Sequence, residues 1–413
     1  LEIIESHCII EKISDKIRHG NEDYMMNETE MLKKALEYID ASHEAMKTLW
    51  KEIVSMESGV SDKEGIDRVC ERLKKELEAS AVCTTVVPME QAGNLLKGEF
   101  HGERPQKPIL LIGHMDTVFA KGTLEKNPFR IDEQGRAHGP GVLDMKAGLV
   151  IAVFVLRALE ACGYDKRPLR VMFAGDEENG HRLSNAREEI RAVCEGCEAA
   201  FNFETGFEDD GLVVGRKGSC RVVVTVTGVA AHAGNDPQRG RSAILEMAHK
   251  VIEIQKLHDF DNGLFVNVGV IKGGTVPNAV PGSCEIQIDI RYESRERLDE
   301  VLRKIRVIAE YSHVADTKAQ VSMSAPSEVM EASGANLKLF EHVKRAAELI
   351  DYGEVSTKKV GGWSDSCLAS ACGIPVVCAM GVKGAKNHSM EEYALADTLF
   401  ERAKLALASI ITL

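Results

Sequence analysis

The chain has 413 residues, 44% of them hydrophobic and 28% charged, with a formal net charge of −13. At roughly 150 residues per domain this suggests two or three domains with ample core, and the acidic balance argues against a nucleic-acid binder, which needs a basic face for phosphates. Aromatic residues are 5% of the chain, too few to expect stacking platforms for single strands. Acidic residues interrupt every apolar run in residues 1–30, so no secretory signal is expected there. The longest apolar run, Leu149–Leu156, is far too short to span a bilayer. Eleven cysteines, an odd number scattered through the chain, fit reduced thiols and a cytoplasmic setting better than a disulfide framework.

Residues 1–80 read as helical. Met31, Leu32, Ala35, Leu36, Ile39, Met46, Leu49, Ile53 and Val54 recur at helical spacing. Ser61 and Asp62 open a further helix carrying Val69, Leu73 and Leu77. The first 28 residues are predicted to be a helical or partly ordered extension. From about residue 80 the pattern alternates, with strands predicted at Ile109–Ile112, Leu169–Ala174 and Ala199–Phe203 around a helix at about 146–162. A strand at Pro375–Met380 and a helix at Tyr393–Ile411 follow near the C-terminus. Strands alternating with helices predict an α/β fold with a mostly parallel sheet.

Between about 215 and 327 the order changes. Strands at Arg221–Thr227, Phe265–Ile271, Cys284–Tyr292 and Gln320–Met323, with helices at Ser242–Leu257 and Arg295–Tyr311, give β-α-β-β-α-β, a ferredoxin-like unit. The domains expected are therefore a catalytic α/β domain over 1–214 and 328–413, split by an insert over 215–327.

Five short segments place acidic groups and histidines after predicted strands or at the start of a helix, where open α/β sheets bind ligands. They are Gly113–Thr117 (GHMDT), Gly139–Lys146 (GPGVLDMK), Gly175–Gly180 (GDEENG), Phe203–Gly206 (FETG) and Asn387–Ser389 (NHS). Each alone is weak, because a loop histidine is usually a surface residue and an acidic pair after a strand usually caps a helix. Together they are informative. Several carboxylates at one sheet end repel unless a cation neutralises them, and two imidazoles with three carboxylates suit a borderline divalent ion such as zinc.

These segments, with KNPFR after HMDTV and with AHAGNDPQRG, resemble the dinuclear zinc metallopeptidase and amidohydrolase family. That family includes glutamate carboxypeptidase of the carboxypeptidase G type, aminoacylases, acetylornithine deacetylase and succinyl-diaminopimelate desuccinylase. The resemblance runs from about residue 80 to the end and looks closest to the carboxypeptidase G type. It implies a zinc-exopeptidase-like α/β domain with an inserted lid and dimerisation domain. It implies His114, Asp144, Glu178, Glu204 and His388 as ligands of two divalent ions, with Asp144 bridging; zinc is expected, with cobalt or manganese as alternatives. Glu177 resembles the general base and Asp116 the carboxylate that orients the His114 ring. The bond after the bridging aspartate is often cis in the family, which makes Asp144–Met145 a candidate.

In the insert, His232 resembles the histidine that stabilises the transition state. Asn278 resembles a residue that holds substrate or oxyanion, and Arg291 one that binds the substrate carboxylate. Ile286, Ile288, Ile290 and Tyr292 alternate with Glu285, Gln287, Asp289 and Arg291, so Arg291 points away from a core and is either a clamp or paired with Asp289 or Glu285 on a solvated face. Gly361 and Gly362 resemble a loop that passes close to the substrate backbone. Three features depart from the family pattern: Thr205 where proline is frequent, Ala231 where serine is frequent, and the bulky Trp363 beside the glycine pair. His181 lacks a motif context and reads as a structural or surface residue, although its place three residues after Glu178 leaves an approach to the site open. Cys194-x-x-Cys197 lacks a second pair at zinc-finger spacing and reads as incidental.

The resemblance implies metal-dependent hydrolysis of an amide bond in a small peptide or an N-acyl amino acid, and a homodimer through 215–327. No nucleic-acid or membrane partner is expected. Two alternatives stay open. One is a deacylase of the acetylornithine or desuccinylase type. The other is a non-catalytic metal- or peptide-binding protein that keeps the fold, although none of the catalytic set is missing.

Overall fold

Residues 22–413 are described by a computed structural model, with side chains from residue 28 onward. The expectation for the N-terminal extension therefore falls largely outside the described residues. The chain divides into two units. One comprises residues up to Val214, Ala332–Lys358 and Ser364–Leu413, and the other Gly215–Glu331 with Lys359–Trp363.

The first unit is built on a six-stranded sheet. Its order is Val82–Val87, Leu95–Phe100, Leu169–Ala174, Ile109–His114, Ala199–Asn202, Val376–Val377. The last four strands are mutually parallel, and the first two join as an antiparallel hairpin. The hairpin escaped the sequence reading because Thr84, Thr85, Lys97 and Glu99 dilute its apolar pattern. The helix Ala147–Ala161 is buried on nearly every side, as its unbroken apolar run requires. It packs against Glu22–Ala41 and Thr398–Ile411. Gly148 permits its close approach to the sheet, because a Cβ there would lie 2.0 Å from the Phe203 carbonyl oxygen.

Two C-terminal expectations change. The strand predicted over Pro375–Met380 shrinks to Val376–Val377, because Ala379 takes a left-handed backbone with φ +66° and ends the ladder. The segment Tyr393–Leu395 is a strand, and the last helix starts at Thr398. That strand belongs to a small five-stranded sheet ordered Arg130–Ile131, Arg136–His138, Tyr393–Leu395, Lys383–Ala385, Gly206–Phe207. Such short strands carry too few residues to show a period.

The second unit is a four-stranded antiparallel sheet ordered Phe265–Gly273, Ser283–Tyr292, Gly218–Thr227, Lys318–Met323. In chain order its strands and its two helices, Ala243–Gln255 and Arg295–Glu310, run β-α-β-β-α-β. Val222, Val224, Val226, Ile286, Ile288 and Ile290 supply alternating core residues. Ser242 and Ser294 cap the two helices by accepting from Leu245 N and Arg297 N. The buried Lys250 ammonium donates to the carbonyls of Ile308, Ala309 and Tyr311 and pairs with Glu246 at 2.8 Å. It thereby satisfies the end of the second helix.

Candidate metal centre

Four of the donors lie at or just after the ends of strands in the main sheet. His114 is the last residue of Ile109–His114, Glu177 and Glu178 follow Leu169–Ala174, and Glu204 follows Ala199–Asn202. Asp144 sits in an irregular turn, Val142–Lys146, ahead of the buried helix, and its bond to Met145 is cis. His388 lies in the loop between the paired strands Lys383–Ala385 and Tyr393–Leu395, with φ +63°. Trp50 braces the turn by donating from Nε1 to the Val142 carbonyl at 3.1 Å.

The structure brings all six of these side chains together. His114 Nε2 lies 3.3 Å from Asp144 Oδ1, 3.7 Å from Glu204 Oε1 and 3.9 Å from Glu177 Oε2. His388 Nε2 lies 3.1 Å from Asp144 Oδ2 and 3.3 Å from Glu178 Oε2. Asp144 thus turns one oxygen to each imidazole. Donor atoms of His114, Glu177 and Glu204 lie within 4.8 Å of one another, and so do those of His114, Asp144 and Glu178. His114, Asp144, Glu177 and Glu204 are buried; His388 is half exposed.

Asp116 does more than face the ring. Its Oδ1 is 3.3 Å from His114 Nδ1, and its backbone carbonyl is closer to that nitrogen, at 3.0 Å. The carboxylate accepts the N–H groups of Glu177 at 3.1 Å and Glu178 at 3.0 Å. Two further residues hold the Asp144 turn: Asn387, which lies in the NHS segment but was given no role there, and Glu392, which the sequence did not single out. Glu392 accepts from Leu143 N at 2.9 Å and Asp144 N at 3.3 Å, and Asn387 Nδ2 donates to Asp144 Oδ2 at 3.2 Å. For Glu392, closeness in sequence to the NHS segment was the signal that could have found it.

The buried carboxylates and imidazoles shift one another's ionisation. Burial pushes the Glu177 carboxyl well above the usual range; His114 opposes this, and Glu204, Asp365 and Glu178 add to it. Burial likewise raises Glu178. Burial would lower His114, but Asp116, Asp144 and the nearby glutamates outweigh it and raise it. Asp144 and Glu178 raise His388 to about 10. Burial would raise Asp144, yet the His114 and His388 rings hold it low. Asp144 Oδ1 and Glu178 Oε1 are buried without a hydrogen-bond donor. Buried carboxylate oxygens left in that state fit cation ligands, and a donor set of imidazoles and carboxylates fits a borderline divalent metal.

In the second unit, Ala231–His232 pairs with Ala279–Val280, and Ala233 N donates to the Asn278 carbonyl at 3.0 Å, which brings His232 and Asn278 together. His232 is exposed, and its Nδ1 accepts from Gly234 N and Asn235 N, each at 3.1 Å. Arg291 is exposed and pairs through Nε with Asp289 at 3.0 Å, the solvated pairing that the strand alternation allows. The Gly362 carbonyl accepts from Arg216 Nη1 at 3.1 Å. A Cβ at Gly361 would meet nothing within 4 Å.

Acidic and imidazole donors converging at the carboxyl ends of parallel strands define the class as a metal-dependent hydrolase. Residues 110–412 match Peptidase family M20/M25/M40. The chain is 31% identical to carboxypeptidase G2 of Pseudomonas sp. (strain RS-16) over 384 residues, covering 91% of this chain and 90% of that one. It is 28% identical to acetylornithine deacetylase of Proteus mirabilis (strain HI4320) over 206 residues, 44% of this chain and 49% of the relative. Aminopeptidase PepT of Bacillus cereus ATCC 10987 shares the fold, with a TM-score of 0.75 at 23% identity over 90% of this chain and 98% of the other. The Bacillus subtilis YXEP protein, described as a dinuclear metal-binding peptidase, does so with a TM-score of 0.65 at 16% identity over 90% and 99%. The chain belongs to peptidase family M20/M25/M40, and it is a hydrolase acting on amide bonds. No helix among the described residues is long and apolar enough to cross a membrane.

Proposed function

We propose that the protein is a cytoplasmic carboxypeptidase- or dipeptidase-like enzyme that hydrolyses an amide bond in a small peptide or N-acyl amino acid, using two zinc ions. The observation that carries this reading is the division of Asp144, with Oδ1 toward His114 and Oδ2 toward His388. His114, Asp144 and Glu204 would hold one ion, and Asp144, Glu178 and His388 the other. The bound ions would supply Lewis acidity to the scissile carbonyl and lower the pKa of water.

Glu177 takes the proton of the attacking water and passes it to the leaving amine. Glu177 and Glu204 are similarly placed toward His114, and the assignment of Glu177 to proton transfer follows the family pattern. Asp116 fixes the His114 ring and the backbone under Glu177.

His232 stabilises the developing oxyanion. Because its Nδ1 accepts two backbone N–H groups, the neutral ring carries its proton on Nε2, which is the donor an oxyanion needs. Asn278 assists it. Arg291 takes the substrate carboxylate with its terminal nitrogens, since the Asp289 pair uses Nε. Gly361 and Gly362 pass beside the substrate backbone; the open space at Gly361 means that internal packing does not demand a glycine there.

A homodimer through the second unit is supported by its surface. The edge strand Phe265–Gly273 exposes Val270 and Ile271, and the outer face of Ala243–Gln255 exposes Leu245 and Ile252. An unpaired apolar edge invites pairing with another chain.

Metal analysis with a hydrolysis panel of N-acyl-glutamates, dipeptides and N-acetyl amino acids tests the reading. Turnover of the first two classes supports it. Preference for N-acetyl substrates would move the assignment to a deacylase, and failure of every amide in the metal-loaded protein would favour a binding protein.

A further inference from the structure

Behind Glu177 lies a buried chain of three charged side chains. His181 Nδ1 is 2.7 Å from Asp176 Oδ1, and Nε2 is 2.6 Å from Asp365 Oδ1. All three residues are buried. Ser184 Oγ donates to the other Asp176 oxygen at 2.7 Å, and His181 N donates to the Asp176 carbonyl at 3.1 Å. Ionised carboxylates only accept hydrogen bonds, so an imidazole lying between two of them donates from both nitrogens and carries a positive charge. Burial acts against that charge, but Asp365 and Asp176 outweigh it and raise His181 to about 10. The residue also holds a left-handed backbone, φ +57°, which is uncommon outside glycine.

Both aspartates belong to segments next to the chemistry. Asp176 immediately precedes Glu177 and Glu178, and Asp365 precedes the helix Ser366–Ala371. Asp365 Oδ2 is buried with no hydrogen-bond donor, so the carboxylate depends on its bond to His181. Removing the imidazole would leave two buried anions uncompensated beside the base.

We propose that His181 is a positioning residue for the reaction: its imidazolium, bonded to both Asp176 and Asp365, pins the Glu177–Glu178 segment to the head of Ser366–Ala371 and neutralises the buried Asp365 carboxylate. The proposal rests on the assignment of Glu177 as the base. It concerns how that carboxylate is held, not whether His181 touches substrate.

The test compares His181→Asn, the double variant His181→Asn/Asp365→Asn, and Glu177→Gln. Each is assayed for kcat, KM and metal content, alongside ring 15N spectra of the wild-type protein. His181→Asn should lower kcat roughly 10–100-fold, the loss typical when an outer support is removed, with KM and metal content unchanged. The double variant, which removes anion and cation together, should recover about half of that loss on a logarithmic scale. The wild-type ring should carry protons on both nitrogens at pH 8, a readout that does not depend on activity or on any variant folding. Wild-type kcat in His181→Asn, equal loss of metal and kcat, no recovery in the double variant, or a singly protonated ring would each overturn the proposal. An active Glu177→Gln beside a doubly protonated ring would instead fault the base assignment.

Discussion

His114 and His232 are both histidines that close short strands, yet they are held in different ways. His114 is buried, with Nδ1 against Asp116 and Nε2 facing Asp144, Glu177 and Glu204, residues drawn from distant parts of the chain. His232 is exposed, and the partners of its Nδ1 are the backbone of its own turn. The same contrast separates the buried Asp144 from the exposed Arg291. The first unit spends tertiary structure on forcing carboxylates together, which is costly without a cation. The second unit presents groups whose protonation and direction are set locally. Metal content should therefore answer to the first group, and turnover or affinity alone to the second.

The largest effect that would break this contrast is at Asp144. Asp144→Asn removes the carboxylate that both imidazoles face, so metal analysis should find less than one ion per chain and assays should find no turnover. Retention of two ions would remove the bridging role. His232→Ala should lower kcat by about 10²–10³-fold with metal content unchanged; a parallel loss of metal would erase the distinction between the units. Arg291→Gln should raise KM roughly 10–100-fold, the loss of a charge-assisted bond, for substrates bearing a free carboxylate and much less for their amides.

Two smaller effects sharpen the account of the first unit. Gly148→Ala forces a methyl group against the Phe203 carbonyl and should lower stability by about 1–3 kcal/mol, measured by denaturant unfolding. His181 gives a pH signature. Its pKa is raised in the folded protein to about 10, with burial opposing and the two aspartates prevailing. Such a group contributes stability that is fully present below the unfolded value near 6.5 and is lost as pH rises through about 10. The melting temperature should thus fall with pH across that window, and His181→Asn should flatten the slope.

Much of this was legible in the sequence, for physical reasons. The clustering of acidic and imidazole segments was readable because GHMDT, GDEENG and FETG each follow an apolar run that reads as a strand, whereas which of their residues are ligands came from the family resemblance. The second unit was readable because its central strand alternates, Ile286, Ile288 and Ile290 against Glu285, Gln287 and Asp289. What stayed hidden depends on contacts between distant segments. Glu392 reaches back to the Asp144 turn, and the His181–Asp365 bond joins segments far apart in sequence. His181 looked like a structural residue, and only the buried partners on both sides of its ring reveal a charge. The hairpin Val82–Val87 and Leu95–Phe100 stayed hidden because its polar residues blur the period.

The central claim is that Glu177 moves the proton within a site whose metal is held by other residues. The most direct measurement is turnover of the Glu177→Gln variant at full metal occupancy. The account predicts a fall of about 10²–10⁴-fold with the same number of bound ions as the wild type. Wild-type turnover in the fully loaded variant would contradict it.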